Sequence, residues 1–207
     1  MSTDFTMHVV KLEEAGYYAA LHGLGHNKKQ SQDKGMDDIA LRLATKDGGH
    51  NKFLESIYVW LDVRAPRYWW QEADTFRLST KQSESTMHTL NSELKKLGQI
   101  ESLDMSNYNN HIRRYINTNF ELCACTSSQL KYLIELVRMD SPLYEVKKRL
   151  PEGFLQKRMW CMNYKCLRNI ILQRRNHRLP HWQAFIRQVM DQINHPELLD
   201  KAWKYGE

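Results

Sequence analysis

Apolar positions recur along this chain with two periods, and each change of period marks a change of element. Met7 to Leu12 reads as a short strand, and Glu13 to Leu21 as a helix. Gly23 to Lys34 is polar and rich in Gly, Asn, Lys and Gln, the composition of a turn region. Met36, Ile39, Ala40 and Leu43 fall at helical spacing, which predicts an amphipathic helix over Met36 to Thr45. Asp47-Gly48-Gly49 ends it. Ile57 to Arg64, β-branched and aromatic, predicts a strand. Pro66 then suits the first turn of a helix running through Trp69-Trp70 to about Thr75. Leu78 to Ser85 is polar throughout and predicts a loop, and Met87 to Leu97 predicts a helix ending at Gly98.

Three further helices are predicted over Asn107 to Leu122, Ser127 to Met139 and Pro142 to Leu150. Phe154 to Met162 reads as a short extended segment. Lys165 to Arg174 puts Leu167, Ile170 and Ile171 on one face, so a helix there packs on a core. Trp182 to Ile193 is the next helix and Pro196 onward a last one. The sum is an α/β (α+β) chain in which helices dominate, without internal repeats.

Composition narrows the class only a little. A chain of 207 residues suffices for one well-cored domain, here taken as 1–207. No stretch has the apolar length of a membrane span. The N-terminus lacks the basic-then-apolar layout of a signal peptide, so a cytoplasmic location is expected. Cys123, Cys125, Cys161 and Cys166 match neither a zinc site nor a redox pair, and reduced, buried thiols are the expectation. No metal is implied. The net charge of +6 suits anionic partners, whether nucleic acid, nucleotide phosphates or polyglutamylated cofactors, without choosing among them.

Two segments carry candidate chemistry. In the first, Arg77 enters a Ser-, Thr- and Gln-rich stretch whose hydroxyls and backbone N–H groups suit a phosphate, with the Arg as a forked cation. By itself this is equally a solvated loop with a surface Arg. In the second, Lys165 and Asn169 lie four apart on one helix face, Asn163 stands at the helix start and Arg174 near its end. A capping Asn, a solvated face and an Arg near the helix C-terminus explain all four without a ligand.

The order of the two segments adds more than either one. Gly49-His50, Glu55, Arg64-Ala65-Pro66, Arg77 and Ser85 precede Val146-Lys147-Lys148-Arg149-Leu150-Pro151 and Trp160. Asn163-x-Lys165-x-Leu167-x-Asn169, Arg174 and His181-Trp182-Gln183 follow. This succession resembles the flavin-dependent thymidylate synthases, in a divergent, bacteriophage-like form, over roughly residues 36–195. The resemblance implies a mixed β-sheet flanked by helices and a homotetramer with sites between subunits. It implies FAD as cofactor, methylenetetrahydrofolate and NADPH as co-substrates, and methylation of dUMP to dTMP. It assigns FAD to Arg77, Asn163, Lys165 and Asn169, with His50 near the flavin or the folate. The nucleotide falls to Ser83, Glu84 and Ser85, with Lys147 at its phosphate. Arg174 would sit against the pyrimidine and stabilise charge developing on its carbonyl.

The chain also departs from that family's pattern. Thr75-Phe76 stands where Arg-His is usual, Gln82-Ser83 where Asn-Glu is, Met87-His88 where Arg-Tyr is, and Lys165 where Arg is. A lost charge-assisted hydrogen bond at Met87 costs about 1.5–3 kcal/mol of nucleotide affinity unless Lys81, Lys147 or Arg149 compensates. Two other functions follow from these changes: a flavin-dependent enzyme making another modified pyrimidine, such as a hydroxymethylated one, or a non-catalytic nucleic-acid-binding relative.

Overall fold

The computed structural model describes residues 7–26, 35–103, 105–121 and 126–203. The chain divides into two compact units. One comprises Arg64–Glu72 and Ser83–Lys157, the other Met7–Val63, Ala73–Gln82 and Arg158–Glu207. Strands β1 (His8–Ala15), β2 (Tyr58–Pro66), β3 (Ser79–Ser83) and β4 (Leu155–Asn163) form a mixed sheet in the order β1-β2-β4-β3, accompanied by helices. The central strand β2 shows the period of two. Val59, Leu61, Val63 and Ala65 are fully buried, while Tyr58, Trp60, Asp62 and Arg64 are not.

In the sheet-rich unit, helices α1 (Tyr17–His26) and α2 (Met36–Ala44) follow β1. Helices α8 (Tyr164–Arg174) and α9 (His181–Met190) follow β4. Helix α9 buries Trp182, Phe185, Ile186, Val189 and Met190, and Trp160 of β4 packs against Phe185 with ring centroids 5.4 Å apart. Gln188 of α9 and Gln192, in the turn just after it, reach the outer edge of β1. Their side-chain carbonyls accept from the Val9 and Lys11 N–H groups, both at 2.9 Å. Their amides donate to the Met7 and Val9 carbonyls at 3.2 and 2.9 Å.

The junction of β4 and α8 ties this unit together. The Asn163 side chain accepts from the Cys166 N–H at 2.9 Å and caps α8. The Tyr164 N–H donates to the Ile57 carbonyl at 2.8 Å, and the buried Tyr164 hydroxyl donates to Glu14 of β1. Burial, then this bond to Glu14, pushes the Tyr164 phenol well above its ordinary range, so it stays a neutral donor.

The other unit is helical: α3 (Arg67–Ala73), α4 (Thr86–Leu103), α5 (Met105–Asn119), α6 (Thr126–Arg138) and α7 (Leu143–Lys148). Leu90, Leu94 and Leu97 of α4 share one core with Ile112 and Ile116 of α5 and Leu130, Leu133, Ile134 and Val137 of α6. Trp69 and Trp70 are fully buried here, and the Trp70 indole donates to the Gln156 carbonyl at 3.1 Å.

Four boundaries differ from the pattern-based expectation, each for a physical reason. The expected helix over Glu13 to Leu21 starts only at Tyr17, because β1 continues to Ala15 and Gly16 turns the chain at φ +97°. The Leu78 to Ser85 loop contains β3, an edge strand whose polar side chains carry no buried alternation. Helix α4 does not stop at Gly98. That glycine is buried at a helix crossing, where an added Cβ meets Ile134 at 3.2 Å and the carbonyl accepts from Arg138 at 2.8 Å. The helix from Pro196 is one short 3-10 turn, Pro196–Leu198. Most of the Gly23 to Lys34 turn region, together with Leu122, Cys123 and Cys125, lies outside the described residues.

Gly16→Ala is expected to destabilise the protein by at least about 2 kcal/mol. It combines a positive φ with a Cβ placed 2.0 Å from the Ser56 carbonyl oxygen. Urea unfolding followed by circular dichroism measures it, and an unchanged midpoint would show that the turn is not fixed as described. Asn163→Ala is expected to cost about 1 kcal/mol through loss of the α8 cap, and Asn163→Asp to restore most of it. If Ala and Asp lose the same amount in urea, the cap is not what Asn163 contributes.

Candidate functional site

The polar face of α8 forms one wall of an open cleft of about 690 Å³ in the sheet-rich unit. Asn163, Lys165, Arg168, Asn169, Leu172 and Gln173 line it, at the offsets that keep residues on one helix face. Thr75, Phe76, Arg77 and Leu78 line it as well, as do Asp47, Asn51 and Glu55. The structure therefore brings together Arg77, Asn163, Lys165 and Asn169, residues separated by most of a hundred positions in sequence.

The cleft is electrostatically mixed. The Lys165 ammonium pairs with Glu55, and the Arg168 guanidinium lies 3.7 Å from Asp47. Both pairs are open to solvent on the acidic side, so each adds little to stability and exchanges readily for another anion. Asn169 accepts from the Gln173 amide at 3.0 Å, one turn on. Arg77 is exposed, with no ion-pair partner among the described residues.

The segment that carries Arg77 is held from beneath. Asp74 accepts from Arg158 of β4 with both oxygens, at 3.0 and 3.1 Å, and lies 3.8 Å from the Lys81 ammonium. Lys81 reaches back from β3 to donate to the Phe76 carbonyl at 3.2 Å and the Ser79 hydroxyl at 3.3 Å, with the Trp160 ring 4.8 Å away. Burial of this ammonium lowers its pKa below the ordinary lysine value despite Asp74. Lys81 is thus spent inside the fold and does not present its charge to a ligand. Cys166, buried at the cleft floor, has its thiol pushed up by the same lack of water, which keeps it protonated.

Arg174 is not in the cleft lining. Its guanidinium stacks over Trp182 at 4.9 Å and Phe76 at 5.5 Å, and Phe76 itself lines the cleft. The Gln183 amide donates to the carbonyls of Arg175 and His177, at 3.2 and 2.8 Å, and closes the end of α8. Trp182 and Gln183 therefore position Arg174 and the helix terminus beneath it. His50 lies in a second recess, of about 790 Å³, with Gly48, Gly49 and Phe53. Glu55 is common to both recesses.

Ser83, Glu84, Ser85 and Lys147 belong to the helical unit. The Glu84 N–H donates to the Lys157 carbonyl at 3.0 Å, and its carboxylate accepts from the Lys157 N–H at 3.1 Å. The Ser85 carbonyl accepts from Thr89 in the first turn of α4. Lys147 has no ion-pair partner among the described residues, whereas Arg149 is paired with Glu145. The side chains of Met87 and His88 lie outside those described. Sequence reasoning missed Arg168, Leu172 and Gln173, although the Lys165/Asn169 spacing extends directly to them. Nothing local signals Asp47 or Asn51. Among the described residues no cluster of His, Cys, Asp or Glu suits a metal ion, and no helix is long and apolar enough to cross a membrane.

No protein-family model and no curated protein matches the chain. Solved structures do. A flavin-dependent thymidylate synthase, ThyX, from Helicobacter pylori, solved with FAD and dUMP, superposes with a TM-score of 0.78 at 18% identity, covering 95% of this chain and 100% of that one. A second structure of that enzyme with the same two molecules gives 0.77 at 17% identity, covering 96% and 100%. A UMP/dUMP methylase, PolB, from Streptomyces cacaoi, bound to 5-bromo-UMP, gives 0.52 at 10% identity, covering 80% and 75%. The chain has the fold of the flavin-dependent thymidylate synthases.

Proposed function

We propose that this protein is a flavoenzyme of the thymidylate synthase type, methylating dUMP to dTMP reductively with FAD, methylenetetrahydrofolate and NADPH. The observation that supports it best is the meeting of Arg77, Asn163, Lys165 and Asn169 in one cleft of a chain with this fold. The residues present fit FAD. A cleft of about 690 Å³ lies within the range of cofactor sites. Phe76, Leu78 and Leu172 offer apolar surface for a planar ring, while Arg77 and the amides of Asn163 and Asn169 offer donors for an anionic, carbonyl-bearing ligand.

The chemistry supplied by FAD, when bound, is the transfer of reducing equivalents, with the folate as carbon donor. The chain's own part is binding and polarisation. Arg77 is proposed to take a phosphate oxygen with its fork, and Lys165 to exchange Glu55 for a ligand anion. Arg174, flanked by Phe76 and Trp182, is proposed to stabilise the negative charge that develops on the carbonyl of a pyrimidine. Ser83, Glu84, Ser85 and Lys147 are proposed to hold the nucleotide, with Lys147 at the phosphate. In a homotetramer with shared sites, these residues and the cleft they serve need not come from one copy.

A second reading keeps flavin and a pyrimidine nucleotide but changes the product, for example to a hydroxymethylated base. It is favoured by Thr75 and Phe76, which line the cleft where charged residues would be expected, and by the likeness to a methylase that is not ThyX. Product analysis by mass spectrometry after incubation with dUMP, folate, NADPH and FAD separates the two.

The purified protein is expected to retain oxidised flavin through gel filtration, seen in its visible spectrum. Arg77→Ala is expected to weaken FAD by about 1.5–3 kcal/mol, roughly ten- to a hundredfold, without a matching fall in unfolding midpoint. A protein that stays colourless after added FAD would count against both readings.

A further inference from the structure

We infer that Arg168 is a second anion-binding guanidinium of the α8 cleft, which together with Arg77 takes the diphosphate of a dinucleotide cofactor. This rests on the flavin reading above, but concerns the diphosphate and not the flavin ring. Arg168 lines the cleft with only 13% of its side chain exposed. A guanidinium so far withdrawn from water is costly unless its donors are used. They are not. Its Nε is buried with no hydrogen-bond partner among the described residues. Its ion-pair neighbour Asp47 stands 3.7 Å away and is 88% exposed. That distance is about 1 Å longer than a charge-assisted hydrogen bond.

The other cations of the cleft show why a second fork is needed. Lys165, paired with Glu55, offers a point charge without a fork. The Thr75 to Leu78 segment of the lining supplies one guanidinium only, that of Arg77. A diphosphate diester carries two adjacent charges, and two planar forks lining one cleft match two phosphate groups better than one fork or a lysine point charge. Arg168 has the weakly held counter-ion that such a role requires, because an exposed carboxylate at 3.7 Å is readily displaced.

The test uses the full-length protein and three probes: FAD, ADP and riboflavin. ADP carries the diphosphate without a flavin, and riboflavin carries the ring without a phosphate. Binding is measured by calorimetry and flavin fluorescence. Arg168→Gln is expected to weaken FAD and ADP by about tenfold or more while leaving riboflavin within about twofold. Arg168→Lys is expected to fall between, since it keeps charge and loses the fork. Asp47→Asn, at an exposed position, is expected to tighten ADP and FAD by releasing Arg168, and remains informative if Arg168→Gln does not fold. Equal weakening of all three probes, unchanged FAD and ADP affinity in Arg168→Gln, or no ADP binding by the unsubstituted protein each overturns the inference. Failure of the flavin reading looks different. ADP then binds and depends on Arg168, while riboflavin and FAD show no flavin-specific contribution.

Discussion

The hydrogen bonds at the β4–α8 corner fix the geometry on which the cleft depends. A strand that becomes a helix without a linker must satisfy the first helical N–H groups at once. Asn163 does so for Cys166, and the Tyr164 backbone spends its own N–H on Ile57. The phenol of Tyr164 then crosses to Glu14 on β1. Three elements distant in sequence are pinned within two residues, and the rotation of α8 about its axis is thereby set. The rotation decides which residues face the cleft: Lys165, Arg168, Asn169, Leu172 and Gln173 do, while Leu167, Ile170 and Ile171 are buried. A capping residue and a ligand-facing row are consequences of one arrangement, so Asn163 has no need to choose between a structural and a binding role.

The charges of the cleft differ in how firmly they are held. In the Asp74–Arg158–Lys81 group both cations are mostly buried and Asp74, itself half exposed, accepts from Arg158 with both oxygens, so its geometry is part of the fold. Lys165–Glu55 and Arg168–Asp47 are pairs whose acidic members face solvent. The first kind fixes the shape of the wall, and the second adjusts its potential at little cost when an anion arrives.

Legibility in the sequence followed the range of the interaction. The β-branched and aromatic run from Ile57 to Arg64, and the helical spacing of Met36, Ile39, Ala40 and of Leu167, Ile170, Ile171, were readable because burial imposes them locally. Strand β3 was not, since an edge strand owes its form to pairing with β4 and Ser79–Ser83 needs no apolar face. Gly98 reads as a stop signal but serves close packing against Ile134, a residue on another helix. In the site, the grouping of Arg77 with Asn163, Lys165 and Asn169 came only from an ordered resemblance. The chain alone gives each of them an ordinary surface reading. Lys81 shows the limit most clearly: sequence offers a free cation, while Asp74, the Phe76 carbonyl and Trp160, all fixed by tertiary contact, take it out of use.

The glutamine contacts along β1 have a consequence for how copies of this chain meet. An outermost strand normally leaves a row of backbone donors and acceptors available to another strand. Here Gln188 and Gln192 imitate that missing strand, each supplying one acceptor and one donor at the spacing of the ladder. The sheet is thus terminated from within along Met7 to Lys11. Growth of the sheet from one molecule into the next through that stretch requires both side chains to let go first. Along that stretch, association of copies is accordingly steered toward side-chain surfaces, where shape and charge can select the partner, and away from backbone pairing, which selects nothing.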